Sequence, residues 1–274
     1  MNKSLLFLVV LLLVLVSANS DNLNRRKNSY YSVRRDYRKC AFPMCGGYWL
    51  KAVNTNAEEL YVSEFKFDDR LDHLNKSLVL DAPMNELILG GWIKKTNKFN
   101  ELRVVEATRV VPIKPAAKDP VGYYGLYKDG SKWNLIELNT DKVTKISCWT
   151  DRYSEVSHID RQWLDSKIKH DAIVSGVIAE LPDKKEKTLT IEKVYIQLPD
   201  PAKPCKELPL AKCAGGHVTV YTRDEDRCLS FDGCIKPGVC TLVLPLCDGN
   251  YTLVEFPSRP NACPKPFCDP YYLQ

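Results

Sequence analysis

The sequence predicts an α+β fold, with two similar β-β-α-β-β domains followed by a small disulfide-rich β tail. Apolar residues alternate with polar ones in short runs that are typical of strands. These runs recur in the same order along two successive stretches of the chain. Eight of the 11 cysteines lie in the last 70 residues, as expected for a segment that disulfides hold together.

The N-terminus has the pattern of a secretory signal peptide over residues 1–20. Lys3 supplies a positive charge, and Leu5–Val16 is an unbroken apolar run. A helix of that run rises about 18 Å, which is too short for a bilayer core of about 30 Å. The small residues that follow fit cleavage after Ala18 or Ser20. We therefore predict a secreted, extracellular protein with no membrane span.

Residues 21–36 are predicted to be a basic disordered arm. Seven basic and two acidic residues lie between Asp21 and Lys39, and this excess accounts for the formal net charge of +5. The arm has no apolar period, so nothing in it predicts a packed element. The arm is interpreted as a solvated linker. The alternatives are a segment that binds an anionic glycan or membrane surface and a site of proteolytic processing. The remaining body is near neutral, which argues against a nucleic-acid partner.

Repeat domain 1 is predicted to span residues 37–114 and repeat domain 2 residues 115–200. Each domain contains two strands, a helical stretch and a hairpin, and residues 114–120 form a proline-rich linker between them. Under this alignment Gly91 is equivalent to Gly176, and Glu64 to Glu137. The segments that match in order are 47–50 with 122–125, 62–65 with 135–138, 88–93 with 173–178, and 102–106 with 189–193.

The tail, residues 201–274, is predicted to contain two four-cysteine modules, at 205–234 and 240–268. The spacing C-x7-C-x14-C-x5-C is followed by C-x6-C-x15-C-x4-C. We expect all disulfides to stay within one module, with the pairing inside each module left open. Cys40 is expected to bond to Cys45, which leaves Cys148 free. The tail cysteines are Cys205, Cys213, Cys228, Cys234, Cys240, Cys247, Cys263 and Cys268.

The segment Arg38–Leu50 contains a C-x4-C-G-G-aromatic start. It resembles the opening of an uncharacterised secreted-protein family with two repeated small domains, over roughly residues 37–200. That resemblance implies export and fold but no chemistry. The end of the tail, residues 263–270, resembles antistasin-type protease-inhibitor modules, although the C-x-x-C-x-C ending of those modules is absent.

Neither catalytic, cofactor-binding nor metal-binding residues are predicted. The histidines are scattered, and the tail cysteines are too widely spaced for a zinc knuckle. Cys148 lies ten residues before His158, so a cysteine nucleophile is conceivable, but a free thiol with no role is the preferred interpretation. The tryptophans are interpreted as core residues, with a sugar-stacking platform as the alternative. They are Trp49, Trp92, Trp133, Trp149 and Trp163.

Asn75 and Asn250 stand in N-x-[ST] sequons and are predicted glycosylation sites. The loop from Asp248 to Asn261, clamped by cysteines, is the candidate binding loop, with Asn250, Ser258 and Arg259 as its contact residues. The sequence thus favours a secreted, non-catalytic binding protein for an extracellular protein or glycan. The alternatives are a protease inhibitor that acts through the tail and an extracellular hydrolase without a recognisable motif.

Overall fold

The computed structural model describes residues 28–83, 85–113, 122–130, 132–180, 186–241 and 245–273. The predicted signal peptide, residues 21–27 of the arm and the linker at 114–120 lie outside these residues. The described residues form sixteen strands but two α-helices, of four and ten residues. The predicted α+β class is therefore wrong, and the protein is mainly β. The helical spacing of Leu71, Leu74 and Leu78 produces a 3-10 turn and one helical turn rather than a full helix.

The first half of the described chain contains six strands and one short helix. Two residues of the first strand and most residues of the last strand are buried, whereas the helix is a single turn. The elements are β1 (Ser29–Arg35), β2 (Tyr48–Ala52), β3 (Leu60–Val62), β4 (Glu64–Phe67), α1 (Ser77–Leu80), β5 (Leu87–Lys95) and β6 (Asn100–Val110).

Strand pairing closes this half into a small barrel. β1 lies between β2 and β5, and β2 also pairs with β3. β4 runs parallel to β6, which pairs antiparallel with β5. Only Ser63 separates β3 from β4, so the two act as one bent strand and complete a ring of five. This strand order, with the helix between the third and fourth strands, is that of the OB-fold, a five-stranded Greek-key barrel.

The second half repeats the same pairing pattern. The bent strand consists of β9 and β10, which are separated by Ser147, and β10 runs parallel to β12. The other pairings complete the same ring. The elements are β7 (Gly122–Asp129), β8 (Lys132–Glu137), β9 (Val143–Ile146), β10 (Cys148–Asp151), α2 (Arg161–His170), β11 (Ile173–Glu180) and β12 (Lys187–Leu198).

The two barrels join into one twelve-stranded sheet through β6 and β12, which pair antiparallel. Asparagines reinforce the contact reciprocally. Asn54 Nδ2 donates to the Tyr123 carbonyl at 2.7 Å, and Asn139 Nδ2 donates to the Tyr30 carbonyl at 2.8 Å. A second apolar cluster draws residues from both halves, including Ile88. The halves are therefore held together by backbone pairing, side-chain amides and apolar packing.

The predicted disordered arm is wrong from Ser29 onward, because residues 29–35 form β1 inside the first barrel. Tyr30 is 1% exposed in the cluster between the barrels, and Val33 is 6% exposed in the main core. Buried residues lie on both faces of this strand, so its sequence does not alternate between apolar and polar residues. The two arginines at its end further obscure the apolar pattern of a strand.

Gly91 and Gly176 occupy equivalent positions, directly after a register shift in β5 and in β11. A Cβ on Gly91 would lie 1.9 Å from the Arg103 carbonyl oxygen, and one on Gly176 would lie 2.0 Å from the Thr190 carbonyl oxygen. Glycine is needed here because the bulge brings the partner backbone into the space of a side chain. The other predicted equivalence is wrong, since Glu64 lies in β4 and Glu137 in β8.

Replacing Gly91 with alanine is expected to lower the free energy of unfolding by about 1–3 kcal/mol, as overpacking does. The neighbour that must move is backbone, so relaxation is costly. Gly125→Ala is the matched control in a strand, because its Cβ would meet nothing within 4 Å, and it is expected to change stability by less than about 0.5 kcal/mol. Urea unfolding measures both, and equal losses would contradict the close-approach argument.

Each tail module is a hairpin crossed by two disulfides. The hairpins are β13 (Val218–Arg223) with β14 (Leu229–Ile235), and β15 (Tyr251–Ser258) with β16 (Cys263–Pro270). Each disulfide joins the first cysteine of a module to its third, or the second to its fourth. The bonds are Cys205–Cys228, Cys213–Cys234, Cys240–Cys263 and Cys247–Cys268.

Both modules dock on the barrels. The second contributes Tyr251, Cys268, Tyr272 and Leu273 to the main hydrophobic core. The first is tied to the start of α2 and to Asp200 by buried charges. Arg223 Nη1 lies 3.5 Å from Oδ2 of Asp160, which caps α2, and Arg227 Nε lies 3.1 Å from Asp200 Oδ2. The tail is thus packed into the body of the protein through apolar and ionic contacts.

Candidate binding face of the first barrel

The loop at residues 36–47, which joins β1 to β2, is closed by the disulfide Cys40–Cys45. Its two ends meet where the Asp36 amide donates to the Gly47 carbonyl at 2.9 Å. Gly46 adopts a positive φ of 83°, which favours glycine. A Cβ on Gly47 would lie 2.2 Å from the Val62 carbonyl oxygen. The two glycines of the C-G-G sequence therefore allow a tight return into β2.

Three outward side chains form a row across β1, β2 and β3. Arg34, Trp49 and Tyr61 are cross-strand neighbours. Trp49 and Tyr61 meet edge to face with ring centroids 5.4 Å apart, and the Arg34 guanidinium lies 5.5 Å from the Trp49 ring. Such contacts stabilise an aromatic pair beyond its buried area.

The loop is fastened to this row through Arg38 and Tyr61. The Arg38 guanidinium lies 5.2 Å from the Trp49 ring and 5.8 Å from the Tyr61 ring. The Tyr61 hydroxyl donates to the Pro43 carbonyl at 3.0 Å and accepts from the Gly47 amide at 3.1 Å. The loop is thereby fixed at its two ends and at its centre.

The loop also presents apolar side chains to solvent. Tyr37 is 69% exposed, Phe42 64% and Met44 75%. The Phe42 ring lies 6.3 Å from that of Phe99, which belongs to the turn between β5 and β6. We call this surface the stapled face and define it by the loop at 36–47 together with Arg34, Trp49, Tyr61 and Phe99. Rigid, exposed rings of this kind mark interaction sites.

The Asp36 carboxylate holds the loop through a two-pronged pair with Arg38. Arg38 Nε lies 2.9 Å from Asp36 Oδ1, and Arg38 Nη2 lies 2.9 Å from Asp36 Oδ2. The hydrogen bonds from Arg38 lower the pKa of Asp36 to about 2. The pair therefore keeps its charge under conditions in which most carboxylates are protonated.

We expect the Asp36–Arg38 pair to persist at pH 4 and to weaken as the pH falls towards 2. Because the folded pKa is below the unfolded value of about 3.9, the stabilisation is present above that value and is lost as pH falls through the folded pKa. NMR titration of the side-chain carboxyl carbon measures this directly. In an Arg38→Gln variant the pKa of Asp36 is expected to return towards its ordinary range, and an unchanged pKa would contradict the assignment to Arg38.

The candidate binding loop at Asp248–Asn261 is not a presented loop. Most of it is the strand β15, which includes Ser258, while Asn250 and Arg259 lie just outside its two ends. Ser258 pairs with Cys263, and Asn250 lies exposed in the turn before the strand. Arg259 Nε lies 2.9 Å from Asp232 Oδ2, and its Nη2 donates to the Asp232 carbonyl at 2.8 Å. The Arg259 side chain is therefore committed to the first module.

Cys148 is free and exposed at the start of β10. The contact recorded for its sulfur is the Ser147 hydroxyl at 3.9 Å, and no histidine in the described ranges hydrogen-bonds to it. The backbone carbonyl of His158 instead accepts a hydrogen bond from the Cys268 amide. The pairing of Cys148 with His158 that a nucleophile would need is thus not formed.

A cavity of about 200 Å³ lies between the two barrels and is lined by residues that include Tyr30, Glu137 and Asn139. Two of its polar side chains are already engaged. Asn139 bonds to the backbone of Tyr30 and Val53, and Glu137 pairs with Lys142 at 2.9 Å. The Asn139 amide therefore joins the two barrels and is not free to bind a substrate.

The tryptophans divide between the core and the surface. Trp163 is fully buried, Trp92 is 50% exposed, and Trp49, Trp133 and Trp149 are half-buried. The core interpretation is therefore right for Trp163 and wrong for Trp92. Sequence reasoning missed Arg38, Phe42 and Phe99 as parts of a face. The available signal was the cysteine pair that encloses Phe42.

Asn75 and Asn250 are both exposed, as a glycan would require. Asn75 lies in the turn before α1, where its Oδ1 accepts from the Ser77 hydroxyl at 2.8 Å. In the described part of the chain, no helix has the length and apolarity to cross a membrane.

Comparison with known proteins defines a family. A family model described as Domain of unknown function (DUF6748) matches residues 29–68, which carry β1 to β4 and so most of the stapled face. An uncharacterised protein of Dictyostelium discoideum is 32% identical over 287 residues, covering 99% of this chain and 97% of that protein. The chain belongs to the same uncharacterised family. No solved structure matches the chain, and the antistasin-type resemblance of the tail stays a prediction.

Proposed function

We propose that the protein is a secreted, non-catalytic binding protein and that its ligand contacts the stapled face. The observation that carries the proposal is the exposed set of Tyr37, Phe42 and Met44 on a loop fixed by a disulfide and by Tyr61. Exposed apolar side chains cost free energy in water, and a rigid loop loses little conformational entropy on binding.

The position of the face in the barrel supports the proposal by analogy. OB-folds bind ligands across their second and third strands, between the loops that join strands one to two and four to five. In the first barrel these parts are β2, β3, the loop at 36–47 and the turn at 96–99. Fold analogy alone does not establish function, but here the aromatic residues lie at the same place.

The two barrels differ at this position, and the difference supports the first barrel as the one that binds the ligand. In the second barrel two residues separate β7 from β8, whereas twelve separate β1 from β2 in the first. The strand registers place Asn134 and Lys145 where the first barrel has Trp49 and Tyr61, so the second barrel has neither the long loop nor the aromatic pair at this position. We propose that the barrels arose by duplication and that the stapled loop is the specialised part.

Export belongs to the same proposal. The five disulfides are expected in an oxidising compartment, and the predicted signal peptide would deliver the chain there. We propose glycans at Asn75 and Asn250, whose exposure supports modification. The pairing of Arg259 with Asp232 and the exposed setting of Cys148 support the stapled face over tail-based inhibition or hydrolysis.

The test compares the wild-type secreted chain with two variants on arrays of extracellular proteins and glycans. Phe42→Ser/Met44→Ser alters the stapled face. Val239→Ser/Leu246→Ser is the matched control, because these tail side chains are 95% and 93% exposed. We expect the wild type and the control to bind the same ligand and the face variant to lose at least tenfold in affinity.

Three outcomes would contradict the proposal. Equal binding by the face variant would remove the ligand from the stapled face. Inhibition of a trypsin-like protease that Arg259→Ala abolishes would favour the tail inhibitor. Turnover in a hydrolase panel that Cys148→Ala abolishes would show an enzyme.

A further inference from the structure

We infer that the ligand of the stapled face is an acidic oligosaccharide, one that carries carboxylate or sulfate groups along its chain. The inference rests on the proposed function and adds the chemistry of the ligand. The charges around the face, more than its rings, indicate this class of ligand.

The two loops that flank the face carry unpaired cations. In the loop at 36–47, the exposed side chain of Lys39 has no carboxylate within ion-pair distance among the described residues. The hairpin of β5 and β6 carries Lys94, Lys95 and Lys98, which are exposed and likewise lack an ion pair in the described ranges.

The nearby acids are already neutralised or few. Asp36 pairs with Arg38, and Glu59 Oε2 lies 2.6 Å from Arg34 Nη2. Glu101 is the cross-strand partner of Lys94, but its carboxylate pairs with Arg103 at 3.1 Å. Glu58, next to Glu59 in the sequence, is exposed and has no ion pair among the described residues. The rim of the face is therefore net positive, although the rest of the protein is close to neutral.

The positions of the rings and cations fit an extended ligand. Phe42 and Phe99 bring the two loops together at one end of the barrel, and Lys51 lies two residues beyond Trp49 on the same side of β2. A chain that crosses β2 and β3 would meet rings in the centre and cations on both sides. Pyranose rings offer apolar faces to aromatic side chains, and their acid groups would meet lysine and arginine.

An acidic glycan would contact both the aromatic rings and the cations, whereas a neutral glycan would leave the cations without a partner. A nucleic acid is also anionic and stacks on rings. It is the less favoured ligand because the charge is confined to two loops and the body offers no basic stripe.

The experiment measures binding of the full-length secreted chain by calorimetry to four probes. They are an oligogalacturonate, a heparin-derived oligosaccharide, a neutral cello-oligosaccharide and an oligothymidylate. We expect one of the two acidic sugars to bind best. Tight binding of the oligogalacturonate would show that carboxylates suffice, and a preference for the heparin fragment, which carries both groups, would show a need for sulfate. We also expect the affinity to fall as salt increases.

Variants locate the site. K94Q/K95Q/K98Q is expected to weaken the acidic sugar by about tenfold, from modest surface charge contributions that add. K203Q/K206Q/K212Q removes the same charge from exposed tail positions and is expected to leave affinity unchanged. Both sets are surface changes that retain the fold, which circular dichroism confirms.

Equal affinity for the neutral sugar, tighter binding of the oligothymidylate, or an equal loss in the tail variant would each overturn the inference. So would the absence of binding to both acidic sugars. In that last case a ligand found on the arrays and lost in Phe42→Ser/Met44→Ser would leave the proposed function standing, and loss of both results would remove it as well.

Discussion

Replacing Asp200 with alanine is expected to lower the free energy of unfolding by about 3–5 kcal/mol, the usual cost of breaking a buried ion pair from one side. The Asp200 side chain is 2% exposed and lies between two cations. Its Oδ2 also accepts from Trp163 Nε1 at 2.9 Å. Alanine would leave Lys167 and Arg227 without their buried partner and the indole without an acceptor.

The position of Asp200 explains why the effect should be large. It follows β12, and its partners come from α2 and from the first tail module. Arg227 continues the network to Asp269 in β16, where Nη1 lies 3.1 Å from Oδ2. Burial lowers the pKa of Lys167, but Asp200 and Asp226 outweigh it, so that pKa is raised. The network thus keeps its charges and joins barrel to tail.

Asp226→Ala is the matched control for this prediction. Asp226 also pairs with Lys167, at 2.9 Å, but its side chain is 64% exposed. Solvent screens such a pair, and its loss is expected to cost less than about 1 kcal/mol. Guanidinium unfolding with the disulfides intact measures both variants. A small loss for Asp200→Ala, equal to that of the control, would show that the network contributes little to docking.

Local patterns predicted the hairpins well and the barrels poorly. The predicted strands at 87–94 and 102–111 agree closely with β5 and β6, because two apolar and β-branched runs on either side of a short polar turn are a strong hairpin signal. Ring closure depends on the parallel pairs β4 with β6 and β10 with β12. Those pairings join segments distant in sequence, so no local pattern reveals them.

The predicted alignment of the two halves is wrong by one strand at its start. The sequence predicts an arm where β1 lies, so the predicted first domain begins one strand too late and segment 47–50 is aligned with 122–125. In the structure β7 is the counterpart of β1, since each pairs with the strand that carries the bulge glycine. The later matches, to β5 and β6, fall in the correct strands because the glycine fixes their register.

One part of the candidate site, the loop closed by Cys40 and Cys45, was predictable from the sequence. The short spacing of Cys40 and Cys45 marks a closed loop wherever the chain is oxidised. The contact of Phe42 with Phe99 and the row across three strands need the pairing register, which the sequence does not provide. The clustered cysteines of the tail instead predicted a binding loop at residues 248–261, most of which form β15.

Tyr272→Ala is expected to lower the free energy of unfolding by about 3–5 kcal/mol, in the range of large aromatic truncations. Tyr272 lies two residues from the C-terminus of the sequence, yet it is 6% exposed in the main core. Its ring packs 4.3 Å from the Arg109 guanidinium, which in turn lies 2.9 Å from Glu86. The truncation would open a cavity beside a buried cation.

A conservative variant separates packing from hydrogen bonding at this position. The Tyr272 hydroxyl donates to the Val110 carbonyl at 2.8 Å, so Tyr272→Phe is expected to cost about 0.5–1.5 kcal/mol. Tyr37→Ala removes an exposed tyrosine and is expected to change stability by less than about 0.5 kcal/mol. Chemical unfolding ranks the three variants. If Tyr272→Ala were as stable as Tyr37→Ala, the C-terminal residues would not be docked on β6, and the tail would be held by its charges alone.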